Sequence, residues 1–283
     1  MSNRNSVEFI QKKALAMRRD CIEMGYAAGS HGAHFGPAMS CIEVVAGIFF
    51  SAMNHNPQDP FMPTRDRFVL SKGHACLAYY SALVEAGYFP RDLMRTFKGD
   101  NSFLSGHPSC HVKHGLEVAS GSLGNGFAVA CGMAKAAKVK GEGHYVYCVL
   151  GDGECDEGLI WEAAMNAVKN NLDNLIAVVD RNSFQLAGRT HEIMNLNLEA
   201  IWKAFGWEVR VVEDGNDVLS VITVLNEMRS ATSGKPHLII AKTVKGKGVS
   251  FMENNLAWHA APMGKDKYEQ AVADLAALEI EGN

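Results

Sequence analysis

The chain reads as a single α/β domain: one open, doubly wound, mostly parallel sheet with helices on both faces. Three observations predict it. Short apolar runs of strand length alternate with helical stretches along all 283 residues, the pattern of strand–helix–strand crossovers. The runs Tyr145 to Leu150 (YVYCVL) and Leu175 to Val179 (LIAVV) have no charged or amide residues, as strands covered on both faces should. No internal repeat, low-complexity tract or Pro/Gly/Ser linker divides the sequence, so residues 1–283 are expected to form one domain.

The elements follow in order. Ser6 to about Tyr26 spaces Phe9, Ala14, Met17 and Ile22 as one face of a helix, with charged residues between them. Ile42 to Ala52 is apolar enough for a buried helix, and Arg67 to Ser71 forms a short strand. Gly73 follows, then a helix through Tyr79 and Tyr80. Ala128 to Val139, small and apolar, predicts a closely packed helix entered from a glycine-rich turn. Between the two apolar strands Glu162 to Val168 continues a helix. Strands at Glu208 to Glu213 and Leu238 to Thr243 flank a helix near Val218 to Met228, and Tyr268 to Leu278 is a last short helix.

Composition excludes some functions. Net charge is −4, from 27 basic and 31 acidic residues, and no basic run interleaved with aromatics suggests nucleic acid. No stretch is long and apolar enough to span a membrane, and the polar N-terminus is no signal peptide. Seven cysteines, an odd number without CxxC spacing, fit free thiols in a reducing cytoplasm. Cys110, His111 and His114 have the chemistry of metal ligands but lack a fourth partner at suitable spacing. Lys242, Lys245 and Lys247 read as a solvated loop.

Gly151-Asp152-Gly153 ends one apolar strand, and Asp180-Arg181-Asn182 ends the next. Gly-Asp-Gly alone serves equally well as a turn. Its partner thirty residues on changes the reading, because a right-handed crossover brings Asp152 and Asn182 to the same carboxyl edge of the sheet. A carboxylate and an amide oxygen there suit a hard octahedral ion such as Mg²⁺, and the glycines leave room for phosphate against backbone. Histidines recur in loops: Ala33-His34-Phe35-Gly36, Gly73-His74, Gly106-His107-Pro108 and Trp258-His259-Ala260. A lone loop histidine is more often structural than catalytic. Together, in this setting, they offer imidazoles reachable from a cleft and able to move protons at neutral pH.

These segments resemble the thiamine diphosphate-dependent transketolases. The resemblance rests on the GDG with its distant Asn182, on Glu157-Gly158 and Glu162-Ala163, and on Leu70-Ser71-Lys72-Gly73-His74-Ala75. Ser105-Gly106-His107-Pro108, Gly121-Ser122-Leu123-Gly124-Asn125-Gly126, Val244-Lys245-Gly246-Lys247-Gly248 and Trp258-His259-Ala260-Ala261-Pro262 complete the order. It implies the thiamine diphosphate-binding fold of the diphosphate-binding (PP) domain. Asp152, the Asn182 amide and the Phe184 backbone carbonyl would hold Mg²⁺, or Ca²⁺ or Mn²⁺ in its place. The cofactor would lie among His74, Gly121, Ser122, Leu123, Gly151, Asp152, Gly153, Glu157, Asn182, Phe184, Lys245 and His259, with Glu157 near it across a subunit interface. His34, His74, His107 and His259 would be the catalytic residues, handling the hydroxyl and carbonyl protons of the sugar. The GSLGNG segment is no dinucleotide fingerprint, for it lacks the GxGxxG order after a strand and a ribose-binding acid about twenty residues on.

The resemblance runs from about Ser6 to Met263 and matches only the first part of a full-length transketolase. It therefore implies a partner chain with the pyrimidine-binding and C-terminal domains, a heterotetramer, and no activity alone. The partner would supply the glutamate that activates the aminopyrimidine and the arginines that hold a sugar phosphate. The implied reaction moves a two-carbon ketol unit from a ketose phosphate to an aldose phosphate. It would serve the pentose phosphate pathway or one for an unusual sugar, such as branched apulose 4-phosphate or a sulfo-sugar. A deoxyxylulose phosphate synthase-like enzyme is the rival within thiamine chemistry. One departure stands out: the family's GHPGG motif reads here Ala33-His34-Phe35-Gly36-Pro37. Either Phe35 and Pro37 alter the substrate mouth, or the loop repacks around them.

Overall fold

The computed structural model describes residues 6–281. Helix α1 (Val7–Ala27) starts where Ser6 accepts a hydrogen bond from the Phe9 amide, and it turns Ile10, Ala14, Met17 and Cys21 inward. Phe9 itself stands 39% exposed, one position off that face. Helix α2 (Phe35–Ser40) occupies what reads in sequence as a loop, and all six of its residues are buried. Helix α3 (Ile42–Gly47) runs on through a wider π turn at Ile48–Ala52.

Strand β1 (Arg67–Leu70) leads into α4 (Cys76–Ala86), which stops at Gly87 in the left-handed conformation. Then come α5 (Asn125–Lys140), β2 (Val146–Gly151), α6 (Gly158–Lys169) and β3 (Leu175–Arg181). A small antiparallel hairpin, β4 (Phe184–Gln185) with β5 (Gly188–Arg189), is followed by α7 (Thr190–Ile193) and α8 (Leu198–Ala204). Strand β6 (Glu208–Val212), α9 (Val218–Ser230), β7 (His237–Lys242) and α10 (Lys265–Glu281) complete the chain.

The five long strands pair in parallel in the order β1-β2-β3-β7-β6. Alternate residues feed two separate cores, as the two-residue period of a strand requires. Val146, Cys148, Leu150, Leu175, Ala177 and Val179 pack on the face of α5, α6 and α8. Tyr147, Val149, Ile176 and Val178 pack on the face of α1, α3, α4 and α9. Both faces being covered explains the uninterrupted apolar runs. The winding direction reverses between β3 and β7, because β6 lies at the far edge and β7 returns against β3. The carboxyl ends of β1, β2, β3 and β7 converge beside this reversal, the usual ligand position in such sheets.

Among the described residues no helix is long and apolar enough to cross a membrane. Nor does any group of three or more His, Cys, Asp and Glu form a metal site among them. His114 instead stacks on Phe103 at 4.4 Å and on His111 at 4.7 Å, so the Cys110–His114 segment is aromatic packing. All seven cysteines are free thiols, and only Cys110 is exposed.

Candidate active site

Register brings the two motifs together. Gly151 pairs with Asp180, and the Asp152 amide donates to the Asp180 carbonyl at 3.2 Å. Asp152 is buried, with one carboxylate oxygen accepting from Gly153 N at 2.9 Å and the other from Ser183 N at 2.6 Å. Burial, then the nearby Asp180 charge, push its carboxyl up to about 7. Ser183 takes the left-handed conformation (φ 67°), which turns the chain so that Phe184 N reaches Asn182 Oδ1 at 3.1 Å. The Asn182 amide nitrogen donates to Asp180 at 2.9 Å, which fixes the amide with its oxygen on the opposite side.

The carboxylate of Asp152, the amide oxygen of Asn182 and the carbonyl of Phe184 are hard oxygen donors at one strand edge. Asp152 has no cationic side chain in ion-pair range among the described residues. A divalent ion of the Mg²⁺ type fits this donor set and would draw the Asp152 carboxyl back towards its ordinary range.

Several residues of the cradle had no role assigned to them from the sequence, although Asp180, Ser71 and Lys72 stand inside its motifs. Asp180, fully buried, accepts from the Lys72 ammonium, from Ser40 Oγ at 2.6 Å and from Thr243 Oγ1. Burial pushes its carboxyl up, but Lys72 and these donors hold it below the ordinary carboxylate range. Burial likewise works against the Lys72 charge, and Asp180 more than offsets it. Glu154 accepts from Ser71 Oγ, Gly124 N and Gly151 N, which ties the GSLGNG turn and the LSKGH segment to β2. Ser71 and Lys72 lie inside the LSKGHA segment, whereas Glu154 only adjoins the GDG motif, and that adjacency was its only clue.

Above this floor lie the histidines. The His34 ring stands 5.7 Å from His74, 5.5 Å from His107 and 5.7 Å from His259, and His74 stacks on His259 at 5.4 Å. An antiparallel bridge between Ala33 and Ala261 joins two of their loops. Burial is the first cause of every imidazole's lowered pKa. With His107, Lys98 and Lys245 it takes His34 down to about 4, and with Lys245 it takes His259 down to about 3. His74 is lowered by burial and Lys72, and His107 by burial and Lys98. All four are neutral at physiological pH.

His34, His74, His259, Lys245, Asp152, Asn182, Phe184, Gly121 and Leu123 share a cleft of about 410 Å³ that also includes Gly151, Gly153 and Glu157. His107 stands exposed at its rim against His34, while Ser122 is exposed beside the cleft and is not among the lining residues. A larger cleft of about 620 Å³ opens elsewhere around Arg18 and Glu43, but those charges pair with each other and no imidazole reaches it.

Two expectations need correction. Lys245 is fully buried rather than solvated, and its ammonium lies 2.9 Å from His259 Nδ1. Gly36 makes room for it, since a side chain there would meet Lys245 Cε at 3.1 Å. Only Lys242 and Lys247 of that loop reach solvent. The Phe35 question is also decided: its ring is buried against Gly25 and Trp258, away from the cleft, whereas Pro37 lines it.

Residues 11–277 match the family described as "Transketolase, thiamine diphosphate binding domain". The chain belongs to that family. An apulose-4-phosphate transketolase subunit of Actinobacillus succinogenes is 41% identical over 271 residues, 95% of this chain and 97% of that protein. The 6-deoxy-6-sulfo-D-fructose transketolase subunit SqwG of Clostridium sp. strain MSTE9 is 42% identical over 243 residues, 86% and 88% of the two chains. Human transketolase is 35% identical over 275 residues, but this transketolase-family chain spans only 43% of it. Among solved structures, transketolase from Leishmania mexicana superposes with a TM-score of 0.88 at 32% identity, covering 94% of this chain and 41% of that one. The chain is thus a thiamine diphosphate-binding transferase subunit of transketolase type.

Proposed function

We propose that this chain supplies the diphosphate-binding half of a two-chain transketolase that transfers a two-carbon ketol unit from a ketose phosphate to an aldose acceptor. The observation that carries the reading is the convergence of four neutral imidazoles, three lining the cleft of Asp152 and Asn182 and His107 at its rim against His34. Asp152, Asn182 and Phe184 would hold Mg²⁺. When bound, thiamine diphosphate supplies the nucleophilic carbon that breaks the bond between ketose C2 and C3.

The chain's own groups orient and move protons. His259 accepts from Lys245 at Nδ1, so its proton sits on Nε2 and it acts as a donor towards a sugar oxygen. His34 and His107, unprotonated at neutral pH, are the bases for the C3 hydroxyl proton, which they return when the acceptor aldehyde is joined. Leu123, Phe184 and Pro37 add apolar walls that limit water beside these groups.

The partner would carry the pyrimidine-binding and C-terminal domains, in an assembly of two chains of each kind. Relatives that are themselves named as single subunits of a transketolase support a partner subunit, and their names favour a donor outside central sugar metabolism, a branched or sulfonated ketose. The free thiols support a reducing compartment such as the cytoplasm. The test is reconstitution with the candidate partner, thiamine diphosphate and Mg²⁺ against xylulose 5-phosphate, apulose 4-phosphate and 6-deoxy-6-sulfofructose. Two-carbon transfer only with both chains present is expected. Turnover by this chain alone would overturn the two-chain reading, and reaction with pyruvate as donor would favour the deoxyxylulose phosphate synthase-like alternative.

A further inference from the structure

We propose that Lys98 is a positioning residue for this reaction, a cation that holds the loop of His34 and the loop of His107 in a single arrangement. Lys98 belongs to no motif, yet its ammonium donates to two backbone carbonyls of the loop before His34, His31 at 3.1 Å and Gly32 at 2.8 Å. Its stem runs beneath the other loop. A β-carbon at position 106 would come within 2.7 Å of Lys98 Cε, so the glycine before His107 is the space that the lysine occupies.

Neither loop can drift from this contact. Cys76 Sγ on α4 donates to the Gly106 carbonyl at 3.2 Å, and Gly32 (φ 59°) lies so close to the backbone at Ala261 that a side chain there would stand 2.8 Å from it. Lys98 itself takes a left-handed conformation (φ 58°), unusual for a long side chain. Its amide is held by the Leu104 carbonyl at 2.9 Å. A backbone strained in this way and held from both sides is what a placed functional residue looks like.

The charge has a second effect. His34 faces His74, His107, His259, Lys98 and Lys245, and His107 faces His34, His74 and Lys98. Lys98 is the cation common to His34 and His107, and it disfavours a proton on either. The same side chain therefore sets the separation of the two bases and keeps both of them unprotonated.

The kinetic consequence rests on the proposed two-carbon transfer, while the spectroscopic one does not. Lys98→Met keeps the stem and removes the charge, and Lys98→Arg keeps the charge. In the free chain carrying ¹³C-labelled histidine, the His34 and His107 titration midpoints should rise in Lys98→Met by about half a pH unit or more. The distant His144 and His237 should not move. In the reconstituted enzyme the same variant should lose about tenfold or more in kcat with little change in KM or cofactor affinity, and its acid limb should move to higher pH. Lys98→Arg should recover most of both. Unmoved midpoints, an equal shift at all histidines, or a rise in KM alone would overturn the proposal. If the wild-type pair turns over no ketose, the two-carbon reading fails while the midpoints still decide the role of Lys98.

Discussion

His259 Nδ1 and the Lys245 ammonium lie 2.9 Å apart, two groups that compete for positive charge and carry one between them. Burial, then Lys72, takes Lys245 down to about 8, so at neutral pH the lysine keeps its proton and the imidazole has none on Nδ1. Lys245 is also a buried cation on the wall of the cleft that holds Asp152.

Lys245→Met should therefore weaken thiamine diphosphate binding by about ten- to a hundredfold, the scale of one charge-assisted hydrogen bond of roughly 1.5–3 kcal/mol. Lys245→Arg should not rescue it, because Lys245 is fully buried with its stem packed close against Gly36 and a bulkier guanidinium would have to displace that packing. Isothermal titration in the presence of Mg²⁺ decides this, and unchanged affinity in the methionine variant would remove Lys245 from the cofactor site.

The oxygen donors proposed for Mg²⁺ make a different demand. Asp152→Ala and Asn182→Ala each delete an oxygen donor and should abolish Mg²⁺-dependent cofactor binding, whereas His107→Ala should retain binding. For His107→Ala the expected loss is in turnover, about a hundred- to ten-thousandfold. Full activity in that variant would take His107 out of the reaction.

Acid should destabilise the free chain through its half-buried imidazoles. His34 (about 4) and His259 (about 3) titrate below the ordinary histidine value of 6.5, so below that pH the unfolded chain binds protons that the folded chain refuses. Their contribution is fully present above about pH 6.5 and is lost as pH falls towards these folded values. Thermal melts between pH 7.5 and 5.5 should show a smaller loss in His34→Asn than in wild type. Parallel curves would contradict the burial of that ring.

Lys72 and Asp180 form a fully buried ion pair, so removing one partner should cost more than removing both. Asp180→Asn is expected to destabilise by about 3–5 kcal/mol, and adding Lys72→Met should recover part of that. Urea unfolding of the two variants provides the comparison, and equal stabilities would mean that Lys72 finds another partner.

Much of this chain was legible from its sequence. Strand and helix periodicity is local, and the runs 145–150 and 175–179 announced the buried parallel pair that β2 and β3 form. The spacing of Asp152 and Asn182 indicated a shared edge because a crossover leaves little choice of hand. Glycine-flanked histidines announced a cleft, since only small neighbours leave an imidazole accessible. Helix α2 was missed, because Gly36 and Pro37 look like a loop until the surrounding core buries that turn.

The sequence by itself thus determined the fold class, the shared sheet edge of Asp152 and Asn182 and the set of imidazoles, all of which depend on short-range periodicity and on chemistry that motifs preserve. Tertiary structure alone decided which charges face which. Lys72 meets Asp180 across 108 residues, Lys245 turns from a solvated loop into the buried partner of His259, and Phe35 turns away from the cleft that Pro37 lines. The reason is physical: the state of a buried charge is set by neighbours that folding brings from distant parts of the chain, and no local pattern records them.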